Sequence, residues 1–132
     1  MPIGLIACCK KKLARAAPAG ELYQSDLFKK SKSYVERHCE RWAILSAKHG
    51  LVMPEQVIEP YDQTLNGMKA SEVRAWADRT SKQLEIAFPG KDFLVLAGKR
   101  YRAATKPFKA SVPLAGLSIG RQLSWLKESI GE

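Results

Sequence analysis

The stretch WAILSAKHGLVMPEQVIEPYDQTL, residues 42–65, changes character after its fourth residue. Trp42-Ala43-Ile44-Leu45 is a short apolar run, the pattern of a strand buried on both faces. Beyond it Ser46, Lys48, His49, Glu55, Glu59, Tyr61, Asp62 and Thr64 crowd together, punctuated by Gly50, Pro54 and Pro60. Sheets of the α/β class bind ligands in loops at the carboxyl ends of their strands. This loop runs for about 20 residues without a clear period, and loops of that length are usually functional or disordered. Leu51, Val57, Ile58 and Leu65 supply apolar anchors, so an ordered loop is expected. Pro60 fixes its own φ and biases Glu59 towards an extended conformation, which restrains Pro60-Tyr61-Asp62.

Outward from this stretch, strands and helices alternate. Ile3–Ala7 reads as a central strand and CCKKKLARAAPAG, residues 8–20, as a basic loop after it. Ser25 is placed to cap a helix that starts at Asp26, with Leu27, Phe28, Ser31, Tyr34, Val35 and His38 at helical spacing. Ser71 is placed to cap a second helix, whose stripe is Val73, Trp76, Ala77, Thr80, Leu84 and Phe88, stopped by Pro89-Gly90. Asp92–Ala97 is the clearest buried strand. Ser111–Leu114 reads as a fourth strand. Ser118 caps a last helix that turns Ile119, Leu123, Leu126 and Ile130 to the core, with Trp125 beside that stripe. The expectation is a single α/β domain over residues 1–132: a three-layer αβα architecture around a small, mostly parallel sheet of about four strands. Cys8, Ser46 and Gly98 then share the carboxyl edge.

Composition narrows the functional classes. No apolar run approaches the roughly 20 residues that span a bilayer. Lys10-Lys11-Lys12 follows the first apolar run, the reverse of a signal peptide, so a cytoplasmic protein without membrane contact is expected. The three cysteines, Cys8, Cys9 and Cys39, are an odd count and lack a zinc spacing, and only His38 and His49 could join them. Neither a disulfide framework, a metal nor a cofactor is expected, and no phosphate-loop spacing supports ATP hydrolysis. Lysine and arginine number 22 against 13 acidic residues, a formal charge of +9 that favours anionic partners. The expected partner is nucleic acid, DNA ahead of RNA, or a nucleotide, with oligomeric state open. Gly98, Lys99, Arg100 and Tyr101 follow the third strand within a run of basic residues interleaved with aromatics. Charge there can track phosphates while rings stack on bases; a solvated short helix is the alternative. Cys8 and Lys12, just past the first strand, read as a substrate or phosphate loop, whereas Lys10 and Lys11 read as a solvated charge run.

Five motifs occur in order: C-x-x-x-K (Cys8, Lys12), L-Y-x-S-x-L-F (22–28, with Tyr23 and Ser25), W-x-I-L-S-A-K-H-G-L (42–51), P-x-x-x-I-x-P-Y-D-x-x-L (54–65) and L-A-G-x-x-Y (96–101). Together they resemble a family of small bacterial and phage domains of unknown function, and more distantly YaaA-type proteins. Related domains are linked with DNA-base modification and with base-excising or base-exchanging glycosylases, so the resemblance implies chemistry on nucleic-acid bases. Cys9 stands where that pattern carries a small residue, and the resemblance gives it no role.

Cleaving an N-glycosidic bond passes through an oxocarbenium-like state that a carboxylate can stabilise or supply with activated water. Asp62 is the first candidate and Glu59 the second. Tyr61, Tyr23 and Ser46 are candidates for holding a base by stacking and edge hydrogen bonds. His49 or Lys48 could protonate the leaving base or neutralise phosphate, and Lys48 could instead form a Schiff base. Structural roles compete with each: Asp62 can brace its own loop, His49 can serve a turn at Gly50, and Ser46 can simply end the strand. A basic DNA-binding protein without turnover is the alternative function.

Overall fold

The computed structural model describes residues 1–131. Its elements in order are β1 (Ile3–Ala7), β2 (Ala17–Pro18), α1 (Ala19–Leu22), α2 (Asp26–His38), β3 (Arg41–Ser46), β4 (Gly50–Val52), β5 (Val57–Ile58), α3 (Ala70–Ala87), β6 (Phe93–Leu96), α4 (Lys99–Arg102), β7 (Ala110–Ser111) and α5 (Ile119–Ser129). The main sheet has five strands in the order β4-β3-β1-β6-β7. β1 lies between β3 and β6 and is parallel to both, with Ala7 level with Leu45 and Ile6 level with Leu96. β4 is the antiparallel edge and β7 the parallel one at the other side. The sheet is therefore mixed but mostly parallel, as strand–helix alternation requires.

Alternate residues of the central strand feed two cores. Ile3 and Leu5 pack with Ala43, Leu45, Phe93 and Val95 against Trp76, Ala77 and Leu84 of α3. Ile6 packs with Ile44 and Leu96 against Phe28 and Val35 of α2 and Leu126 of α5. Helices thus cover both faces. The contact of α2 with the sheet is very close: a Cβ placed on Gly4 would lie 2.6 Å from Val35 Cγ1, so only glycine fits at that position. The Arg37 guanidinium donates to the Ile130 carbonyl and ties α2 to the end of α5.

Several sequence expectations shift. The long loop after β3 is not irregular throughout. Gly50–Val52 folds back on β3 as a short strand, and Val57–Ile58 pairs antiparallel with Ala17–Pro18. Gly50 makes that reversal with φ +75°, and an added Cβ would collide with Gln83, whose amide holds both flanks of the turn. Helix α3 starts before Ser71: Lys69 is the capping position, and the Glu72 carboxylate accepts its N–H at 3.0 Å. Ser25 caps α2 and Ser118 caps α5 as read from sequence, accepting from the N–H groups of Phe28 and Arg121. The last strand is Ala110–Ser111 rather than Ser111–Leu114. Ile119 does not reach the core and is 61% exposed, whereas Leu126 and Ile130 are buried. No helix among the described residues is long and apolar enough to cross a membrane.

Candidate functional site

The chain leaves β1 for β3 through α2, then returns past β1 to β6 through α3, so connections depart in opposite directions on either side of β1 and β6. This is the topological switch point at which open α/β sheets receive ligands. A cavity of about 530 Å³ opens there, at the carboxyl ends of β1 and β6. Cys8, Ser25, Gly98, Lys99, Arg100 and Tyr101 all line it, together with Cys9, Asn66, Arg102 and Gln122. Its inner wall is apolar, from Ile6, Phe28, Leu96 and Leu114. Among the described residues its charged groups are Lys99, Arg100 and Arg102, with no Asp or Glu in its lining.

The basic groups on α4 differ in what they do. Arg100 Nη1 donates to the carbonyls of Leu65, Asn66 and Met68 at 2.9, 3.1 and 3.4 Å. Through Nη1 it closes the 3-10 turn Leu65–Gly67 and positions Asn66 at the cavity. Lys99 and Arg102 have no side-chain partner among the described residues. Arg102 is half-buried all the same.

Beside the cavity lies a buried chain of hydroxyls. The Tyr61 hydroxyl is 2.6 Å from that of Tyr23 and 2.6 Å from Ser46 Oγ. Ser46 Oγ also accepts the His49 N–H at 3.1 Å, and the Ser46 carbonyl accepts the Trp76 indole N–H at 2.9 Å. The Lys12 ammonium sits 4.6 Å from the centre of the Tyr61 ring, a cation–π contact. Tyr101 stands on the other side of Cys8: its hydroxyl is 3.4 Å from Cys8 Sγ and accepts the Leu65 N–H at 3.4 Å. Burial pushes the hydroxyls of Tyr23 and Tyr101 up to about 12, with the charge that Cys8 would carry as a lesser cause. Burial, then Cys8, raises Tyr61 further still. At neutral pH all three are protonated, so this region offers O–H groups, the Cys8 sulfur and one ammonium, with no carboxylate in its hydrogen-bond network among the described residues.

The four residues expected to carry the chemistry sit elsewhere. Lys48, His49, Glu59 and Asp62 are exposed, and none lines the cavity. Asp62 has no hydrogen-bond or ion-pair partner among the described residues, so the structure does not give it the loop-bracing role that sequence offered. His49 packs its ring edge-to-face against Tyr61, with centroids 5.6 Å apart. Partial burial first and the Lys48 charge second hold its imidazole below the ordinary histidine range, so it is neutral at pH 7. Among the described residues no three of His, Cys, Asp and Glu gather as a metal site would need.

The cavity also takes residues that carry no motif. Asn66 arrives on the 3-10 turn at Leu65–Gly67, Gly116 and Leu117 from the turn before α5, and Ile119 and Gln122 from its first turn. The Gln122 amide donates to the Leu117 carbonyl at 2.9 Å, which leaves its oxygen available as an acceptor. No signal in the sequence marks them: Ile119 reads as a core residue, and its overhang at the cavity shows only in the fold.

Compared with known proteins, residues 3–128 match a family of unknown function, DUF6884. The chain is also similar to the uncharacterized protein YfjM of Bacillus subtilis (strain 168), with 32% identity over 108 residues, covering 75% of this chain and 71% of YfjM.

Proposed function

We propose that this chain, which belongs to the DUF6884 family, is a base-processing enzyme that cleaves or exchanges the N-glycosidic bond of a nucleotide or nucleic-acid base. One observation carries the reading: the cavity at the switch point combines an apolar inner wall with a basic rim and, among the described residues, no acidic lining residue. An apolar wall suits a planar base, and an acid-free basic rim suits phosphate. The formal charge of +9 points the same way, as does the resemblance of the motifs to YaaA-type and glycosylase-linked domains.

In this reading the base enters between Phe28 and the β1–β6 edge, beside Cys8 and Tyr101. The sugar faces outward, towards the loop that bears Glu59 and Asp62. The Asp62 carboxylate stabilises positive charge developing at C1′. His49 accepts the proton of the attacking water at the outward-facing sugar, and the base takes up its proton from Lys48 or solvent as it leaves the cavity. Lys12 and the hydroxyl chain hold the loop's Tyr61 against the end of β3.

The test compares wild type with Asp62→Asn on plain DNA, modified phage DNA and mononucleotides, with released base read by mass spectrometry. The proposal expects base release by wild type, a loss of at least about a hundredfold in Asp62→Asn, and unchanged binding. A second reading, a DNA-binding protein without turnover, draws on the exposure of Lys48, His49, Glu59 and Asp62 outside the cavity. It predicts no base release from any substrate, with binding that weakens steeply as salt rises.

A further inference from the structure

We infer that the cavity is built for a single nucleotide with a terminal phosphate, a nucleoside 5′-monophosphate, rather than for a base flipped out of a continuous strand. This deepens the base-processing reading and rests on it for the base. The distribution of charge carries the inference. All three charged groups of the cavity wall, Lys99, Arg100 and Arg102, come from the one turn of α4. The walls supplied by β1, α2 and α5 are uncharged. A nucleotide inside a strand brings a phosphate on each side of its sugar, and proteins that hold such strands line the backbone path with cations. Here cations meet the ligand on one side alone, which fits one phosphate.

The same turn has groups to spare. Arg100 has its Nη1 tied to the carbonyls of Leu65, Asn66 and Met68. Lys99 and Arg102 have no side-chain partner among the described residues, and Arg102 is a half-buried residue. A planar guanidinium without a competing partner suits bidentate contact with a phosphate. At the opposite wall the Gln122 amide oxygen remains free to accept from a base edge, since its nitrogen already donates to Leu117. A cavity of about 530 Å³ lies within the roughly 300–1,000 Å³ that small-ligand sites occupy.

Isothermal titration calorimetry tests this with four probes: the 5′-monophosphates of the common nucleosides, the matching nucleosides, inorganic phosphate, and a twelve-residue single-stranded oligonucleotide. The inference expects at least one monophosphate to bind roughly tenfold or more tighter than its nucleoside, than phosphate and than the oligonucleotide. Arg102→Gln and Lys99→Gln each weaken monophosphate binding by a similar factor. Lys106→Gln, exposed and outside the cavity, leaves it unchanged, and thermal midpoints equal to wild type show that the variants fold. Equal affinity for nucleoside and monophosphate, tighter binding of the oligonucleotide, or indifference to both cavity variants overturns the inference. Monophosphate binding without base release leaves this inference standing and sinks base processing. Base release from DNA without monophosphate binding does the reverse.

Discussion

Tyr61→Phe removes one oxygen atom and breaks both short contacts of the buried hydroxyl chain. Tyr61 is 8% exposed, Tyr23 1% and Ser46 0%, so water cannot replace what is lost. The ring keeps its packing against Tyr23, His49 and Lys12, so the change is confined to hydrogen bonding. A typical intramolecular hydrogen bond contributes about 1 kcal/mol net, and a buried hydroxyl left without a partner costs about 1–3 kcal/mol. Tyr23 loses its partner, whereas Ser46 Oγ still accepts the His49 N–H. The expected destabilisation is therefore about 2–3 kcal/mol, close to one full penalty plus one ordinary bond. In a domain of this size each kcal/mol moves the thermal midpoint by roughly 4 °C, so a drop of about 8–12 °C accompanies it. Urea unfolding should show a lower midpoint with an unchanged slope, because the surface exposed on unfolding is the same. Tyr34→Phe serves as control: that side chain packs beside Trp125 and His38 without a hydroxyl partner among the described residues, and its loss should cost little. A loss below about 0.5 kcal/mol in Tyr61→Phe would refute the claim that the chain is a desolvated tie between β3 and the following loop.

Gly4→Ala should cost about 1–3 kcal/mol, read by urea unfolding, because the new Cβ meets both Cβ and Cγ1 of Val35 and α2 must lift from β1. All four tyrosines have raised pKa values, each principally through burial. Absorbance at 295 nm should therefore show less than half the full tyrosinate signal at pH 10 while the protein is folded. The unfolded chain loses these protons near pH 10 and the folded chain above it. The stability held in the protonated hydroxyls is thus complete below pH 10 and falls as pH rises towards about 12, where Tyr23 and Tyr101 titrate.

The sequence made the framework of this fold legible where a segment carries its own signal. β1, β3 and β6 each carry an apolar run, Trp42–Leu45 in β3, and α2 announces itself through Ser25, an acidic first turn and a helical stripe. What stayed hidden depends on partners distant in the chain. Gly50–Val52 is three residues long and has no period to read; it is a strand because β3 offers it an open edge. Lys69 is an improbable cap by residue type, and the carboxylate of Glu72 decides the start of α3 instead. At the site, the residues at the ends of β1, β3 and β6 could be placed on one edge from topology alone. Whether a side chain there turns into the cavity or away from it could not. Tyr61 and Asp62 are neighbours, yet one is buried in the hydroxyl chain and the other is exposed. The contribution of α5 was invisible for the same reason, because the far end of the chain closes the cavity.

The central claim is that a nucleotide is received at the β1–β6 switch point. Backbone amide chemical-shift mapping, titrating the 5′-monophosphates and a short oligonucleotide into labelled protein, locates the ligand without knowledge of the reaction. The account predicts the largest shifts at Cys8, Leu27, Lys99, Arg102 and Leu117, from four separate segments that come together at the cavity. Shifts confined to the exposed lysines of α2, or to 48–62 with the cavity silent, would contradict it.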